Sequence, residues 1–234
     1  MKVYYQKERE PERICYLLSY VRSHIDFKFE EKILQEDLEL ENSKENFFLF
    51  SVFSWENFLK LSDLIKKFRE KYKSIAINIV IGGPFLSFLD LNDVFKYYPE
   101  ITHVCLNKGE KFLLKLVEEN LPPGQYKGND FGSIEPYMLE EKYLLRINKI
   151  LLTFDDIRCR WAKCEFCDLF SQSECSRDRI SPETLSDIVV EYLKMDSGNR
   201  PHHFMFLDND IDWKKIQSFF LLLNEKTKLD PKTP

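Results

Sequence analysis

The sequence predicts an α/β protein built on a parallel sheet, and three observations lead there. Short runs rich in Ile, Val and Phe alternate with segments whose apolar residues recur at helical spacing. The apolar runs are continuous, as in strands buried on both faces. One such run, Ile75–Ile81, is stopped by Gly82-Gly83-Pro84. Alternating strands and helices call for a parallel sheet with right-handed crossovers. Such a sheet receives ligands beyond the carboxyl ends of its strands.

The elements follow in order. Lys2–Gln6 reads as a short strand, and Pro11 suits the first turn of a helix. Ile14, Leu17, Leu18 and Val21 form one apolar face of that helix. Phe27–Leu34 reads as a second strand, and Gln35–Glu45 as a loop or frayed helix. The run Asn46–Ser54 is a buried strand, followed by a helix with Phe58, Leu61, Ile65 and Phe68 on one stripe. Ile75–Ile81 is the next strand, Asn92–Tyr98 a helix, His103–Asn107 a strand, and Glu110–Leu121 a helix. The strand ends that face a ligand are then Ser51–Trp55, Gly82–Ser87 and Asn107–Glu110.

From Leu121 to Pro136 the pattern breaks, and three of the seven glycines fall there, which marks a linker. Beyond it, Lys149–Phe154 reads as a strand and Asp155–Ile180 as a long loop with four cysteines. Ser181-Pro182-Glu183 is a helix start with cap, proline and acid in sequence. Leu185, Ile188, Val189, Tyr192 and Leu193 give its buried face. His203–Leu207 is a strand, and Trp213, Ile216, Phe220 and Leu223 mark a last helix. The expected organisation is a first domain over 1–122, a linker over 123–148 and a second domain over 149–234.

Composition excludes several classes. The 234 residues are 44% hydrophobic and 31% charged, which supports a packed core. A net charge of −5 gives no sign of a surface drawn to nucleic-acid phosphates, a weak local patch apart. No apolar run approaches the about 20 residues of a membrane span, and Met1–Glu10 lacks the apolar core of a signal peptide. A cytoplasmic protein is expected, and its six cysteines are then thiols or metal ligands.

The chemistry-bearing group is Cys159-Arg-Trp-Ala-Lys-Cys164-Glu-Phe-Cys167, three thiols directly after a strand. Thiolates are soft ligands that suit iron–sulfur clusters or zinc. Three of them leave one iron of a four-iron cluster without a protein ligand. A zinc site completed by Cys175, His202 or His203 is the competing reading. Cys15 and Cys105 lie in apolar contexts and read as small buried hydrophobes.

This constellation resembles the radical SAM superfamily, whose three cysteines follow the first barrel strand with an aromatic residue before the last. Here the first gap is one residue longer than usual, Arg158 replaces a frequent glycine, and Phe166 holds the aromatic place. The upstream half resembles the cobalamin-binding domain that precedes the radical domain in many members. The matching pieces are Ser51-Val-Phe-Ser54, Ile81-Gly-Gly-Pro84 and Lys108-Gly-Glu110.

The resemblance implies a Rossmann-like (flavodoxin-like) sheet domain followed by a truncated partial (β/α) barrel of the radical SAM type. It implies that Cys159, Cys164 and Cys167 hold a [4Fe-4S] cluster and that S-adenosylmethionine chelates the remaining iron. Phe166 would lie near the adenine, and Asp208 or Asp210 would accept from the methionyl amine. Ser54, Gly82, Gly83, Gly109 and Glu110 would line a cobalamin site. The motif Asp-x-His-x-x-Gly, which supplies an axial histidine in some cobalamin proteins, is absent.

Only two strand–helix units follow the linker, so a second chain or a homodimer would complete the barrel. The substrate stays unnamed. The expected activity is reductive cleavage of S-adenosylmethionine, with methyl transfer as one outcome. The alternatives are a non-catalytic remnant that binds a partner and a zinc-stabilised interaction protein.

Overall fold

A computed structural model describes residues 2–5, 11–25, 30–33, 40, 45–132, 134–135, 137–140, 142–143, 149–152, 154, 180–195, 203–206 and 212–228. The chain divides into two compact units, 1–132 and 133–234.

The first unit is α/β and Rossmann-like. Its strands are β1 (Lys2–Tyr5), β2 (Glu30–Ile33), β3 (Asn46–Ser51), β4 (Ile77–Gly82), β5 (His103–Leu106) and β6 (Gly124–Lys127). They form one sheet in the order β2-β1-β3-β4-β5-β6, parallel throughout. Its helices are α1 (Pro11–His24), α2 (Trp55–Lys71), α3 (Leu91–Tyr97) and α4 (Glu110–Glu119).

The central strands match the continuous apolar runs. Phe47, Phe48, Leu49 and Phe50 of β3 are all buried, as are Ile77, Ile79, Val80 and Ile81 of β4. Helix α2 starts at Ser54, whose hydroxyl accepts from the Asn57 amide at 3.2 Å. It buries the expected stripe of Phe58, Leu61, Ile65 and Phe68. Leaving that stripe unburied would cost roughly 1.5–3 kcal/mol per large side chain. Lys2 is a buried cation within β1. Its Nζ lies 3.7 Å from the carboxylate of Glu30, its register partner on β2.

The second strand, expected over Phe27–Leu34, is described over Glu30–Ile33, and its two glutamates and lysine suit its place at the sheet edge. Two features depart from the sequence expectations. A 3-10 helix over Pro84–Phe88 follows β4. Gly124–Lys127, read as linker, is instead the sixth strand. The Gly124 amide donates to the Thr102 carbonyl at 2.8 Å at the start of that pairing.

The second unit holds a parallel pair, β7 (Lys149–Leu152) and β8 (His203–Phe206), with helices α5 (Pro182–Leu193) and α6 (Trp213–Lys228). Ser181 caps α5 by accepting from the Thr184 amide at 3.1 Å, and Pro182 sits in the first turn, as expected. Phe154, Phe206 and Phe219 pack ring against ring at 5.4–6.0 Å. The buried Tyr192 hydroxyl accepts from the Leu139 amide at 2.6 Å. Burial pushes that phenol up to about 12. The last helix forms where expected, but Phe219 is its buried aromatic, while Trp213 and Phe220 are exposed.

Candidate functional site

Strand order places the candidate site. β1 neighbours β2 on one side and β3 on the other, so the chain reverses direction between β1 and β3. A parallel α/β sheet opens a crevice at the carboxyl ends of strands where the order reverses. The described segments along that edge are Val52–Trp55, Gly82–Phe88, Asn107–Glu110 and Gly128–Phe131.

The exits of β3 and β4 are knitted together by backbone. Val52 N–H donates to the Gly82 carbonyl at 2.7 Å, and Phe85 N–H donates to the Val52 carbonyl at 3.2 Å. Phe53 N–H donates to Asn57 Oδ1 at 3.2 Å. Gly83 adopts φ 117°, and a Cβ there would lie 2.4 Å from the Val52 carbonyl oxygen. Glycine at 83 is therefore required by the chain's own backbone. At Gly82 the nearest atom to a Cβ would be the Cys105 oxygen at 3.6 Å, an ordinary contact.

The exits of β5 and β6 are joined in the same way. A Cβ on Gly128 would sit 1.5 Å from the Lys108 carbonyl oxygen. Asn107 takes a left-handed φ of 68°, which turns the chain toward α4. A Cβ on Gly109 would meet the Leu17 side chain at 3.1 Å, so this glycine lets α1 lie close to α4. The Cys105 thiol points to the Leu106 and Lys108 carbonyls at 3.6 and 3.7 Å. Burial first, then the nearby Glu110 carboxylate, raises its pKa, so it stays a neutral thiol. Cys15 is buried as well, as expected of both residues.

These contacts correct the cofactor expectation. Among the described residues no group of three or more His, Cys, Asp or Glu side chains could hold a metal ion. The described part of the proposed cobalamin site does not fit its role either. Ser54 serves the α2 cap, Gly83 accommodates Val52, and Gly109 accommodates Leu17. Glu110 opens α4 beside the buried Cys105. The [4Fe-4S] cluster, S-adenosylmethionine and cobalamin are accordingly not assigned to this chain. Cys159, Cys164, Cys167, Phe166, Asp208 and Asp210 lie outside the described residues.

The edge presents something the sequence reading passed over. Trp55, Phe85 and Phe88 form an aromatic row, with ring centroids 6.4 Å apart for Trp55–Phe85 and 6.1 Å for Phe85–Phe88. Trp55 and Phe88 are about half exposed. The signal in the sequence was an aromatic residue directly after each of two strand exits, at Trp55 and Phe85.

Comparison of the chain with protein-family models, curated proteins and solved structures gives no match. Among the described residues no helix is long and apolar enough to cross a membrane.

Proposed function

We propose that this chain is a binding protein on a doubly wound α/β frame, a non-catalytic relative of the cobalamin-domain radical SAM proteins. In the same reading, β7, α5, β8 and α6 are the opening strand–helix units of a partial (β/α) barrel of that type. The supporting observation is the use made of Ser54, Gly83 and Gly109. Ser54 caps α2, Gly83 clears the Val52 backbone and Gly109 clears the Leu17 side chain, so three of the five residues expected to line the cofactor cradle serve the chain's own packing. The exposed row of Trp55 and Phe88 around Phe85 lies at the edge where such sheets bind. Contiguous exposed aromatic surface marks a contact site.

The test is direct. The full chain, purified without oxygen, is assayed for iron and sulfide and then incubated with S-adenosylmethionine and a strong reductant. The expected result is no 5′-deoxyadenosine above the reductant-only control. A brown protein with iron and sulfide that releases 5′-deoxyadenosine over many turnovers would overturn the proposal.

A further inference from the structure

Helix α6 has two apolar sides, and among the described residues only one is packed. Its inner side buries Phe219 and is held to α5 by Lys226. Lys226 Nζ donates to the Asp187 carboxylate at 2.6 Å, the Ser186 hydroxyl at 2.7 Å and the Glu183 carbonyl at 3.1 Å. These bonds set the rotation of the helix about its own axis. Trp213, Gln217, Phe220, Leu221, Asn224 and Lys228 are all exposed. At 3.6 residues per turn they share an arc of about 100°. The solvent face of a packed helix is ordinarily polar. Here Trp213 is 75% exposed, Phe220 54% and Leu221 58%.

The order of residues on that arc is its own complement. Counted outward from the midpoint between Phe220 and Leu221, Gln217 mirrors Asn224 and Trp213 mirrors Lys228. Two such helices laid antiparallel across a twofold axis at that midpoint match each pair twice. Phenylalanine meets leucine, amide meets amide, and an ammonium group meets an indole face. On the flank the exposed Lys214 of one copy comes within a turn of the exposed Glu225 of the other. This reciprocity is what an isologous contact requires.

We infer that the outer face of α6 pairs with itself, so that a second copy of this chain is its partner, antiparallel and twofold related. The inference stands apart from the proposed function, since a catalyst or a binding protein could pair this way. A single helix-on-helix contact falls below the about 1,200 Å² of a standard stable interface. The dimer is therefore weak, and its population depends on protein concentration.

Sedimentation velocity of the full chain from about 1 to about 200 μM tests this. A concentration-dependent monomer–dimer equilibrium is expected. Phe220→Glu is expected to weaken it at least tenfold with an unchanged far-UV spectrum, because the side chain is not part of the core. Lys214→Glu and Glu225→Lys are each expected to weaken pairing about threefold, and the two together to restore it. A chain monomeric over the whole range overturns the inference, as does a dimer indifferent to Phe220→Glu. Failure of the double charge swap to restore pairing overturns the antiparallel arrangement.

Discussion

Gly82 and Gly83 are sequence neighbours with opposite tolerances. A methyl group at 83 would strike the Val52 backbone and would have to be carried at a positive φ. Gly83→Ala is therefore expected to cost more than about 2 kcal/mol. At 82 the nearest obstacle is 3.6 Å away and φ is not in the left-handed region. Gly82→Ala is expected to change stability by less than about 1 kcal/mol. Urea denaturation of the two variants checks both, and equal midpoints would contradict the roles assigned here. The sequence pointed to both glycines without separating them. The obstacle at 83 is Val52, a residue brought near only by the pairing of β3 with β4.

Around β5 a single histidine links three strands. His103 is buried at the start of β5, and its Nε2 lies 3.0 Å from the Leu121 carbonyl, just before β6. A carbonyl only accepts, so Nε2 carries a proton. In the neutral ring Nδ1 is then an acceptor, 2.8 Å from the Thr102 hydroxyl, whose single proton also lies within reach of the Ile79 carbonyl at 2.9 Å. That hydroxyl oxygen in turn accepts from the Ile79 amide of β4 at 2.8 Å. Burial lowers the His103 pKa below its ordinary 6.5, outweighing the backbone bonds that raise it.

A folded-state pKa below the unfolded one means that the unfolded chain binds the proton more readily. Stability from this group is thus full above pH 6.5 and falls as pH drops from there toward the lowered folded value. The urea midpoint of the chain is expected to drop between about pH 7.5 and about pH 5, and to drop less in His103→Gln. Identical pH profiles would remove His103 from this role. The strand that His103 helps to seat was not legible beforehand. Gly-Gln-Tyr-Lys offers one aromatic residue and no apolar run, and only its register against β5 makes it a strand.

At the scale of the molecule, the first unit closes its own core. Phe48, Phe50, Phe58, Ile65, Ile79, Ile81, Leu86 and Val104 pack together within it. Residues 1–132 alone are expected to fold, with one cooperative denaturation transition and native near-UV dichroism. A fragment with secondary structure but no fixed aromatic environment would contradict that division. The second unit presents a different picture in its described residues. It pairs only two strands and exposes Met205 on β8 and Trp213, Phe220 and Leu221 on α6, the last three being the surface that self-pairing of α6 would cover.

Apolar periodicity is a property of neighbouring residues, and the sequence by itself therefore determined the strand–helix alternation, the parallel α/β class, the α2 stripe and the Ser181 cap. Strand order, the sixth strand, the neighbour that each glycine must clear and the side of α6 left facing water were decided only by the tertiary structure. Each of these depends on residues distant in the chain and adjacent in space. The candidate site divides along the same line. Its place at the strand exits was readable from local pattern. The closure of that edge by Val52, Lys108 and Leu17 arises only once strands and helices have packed.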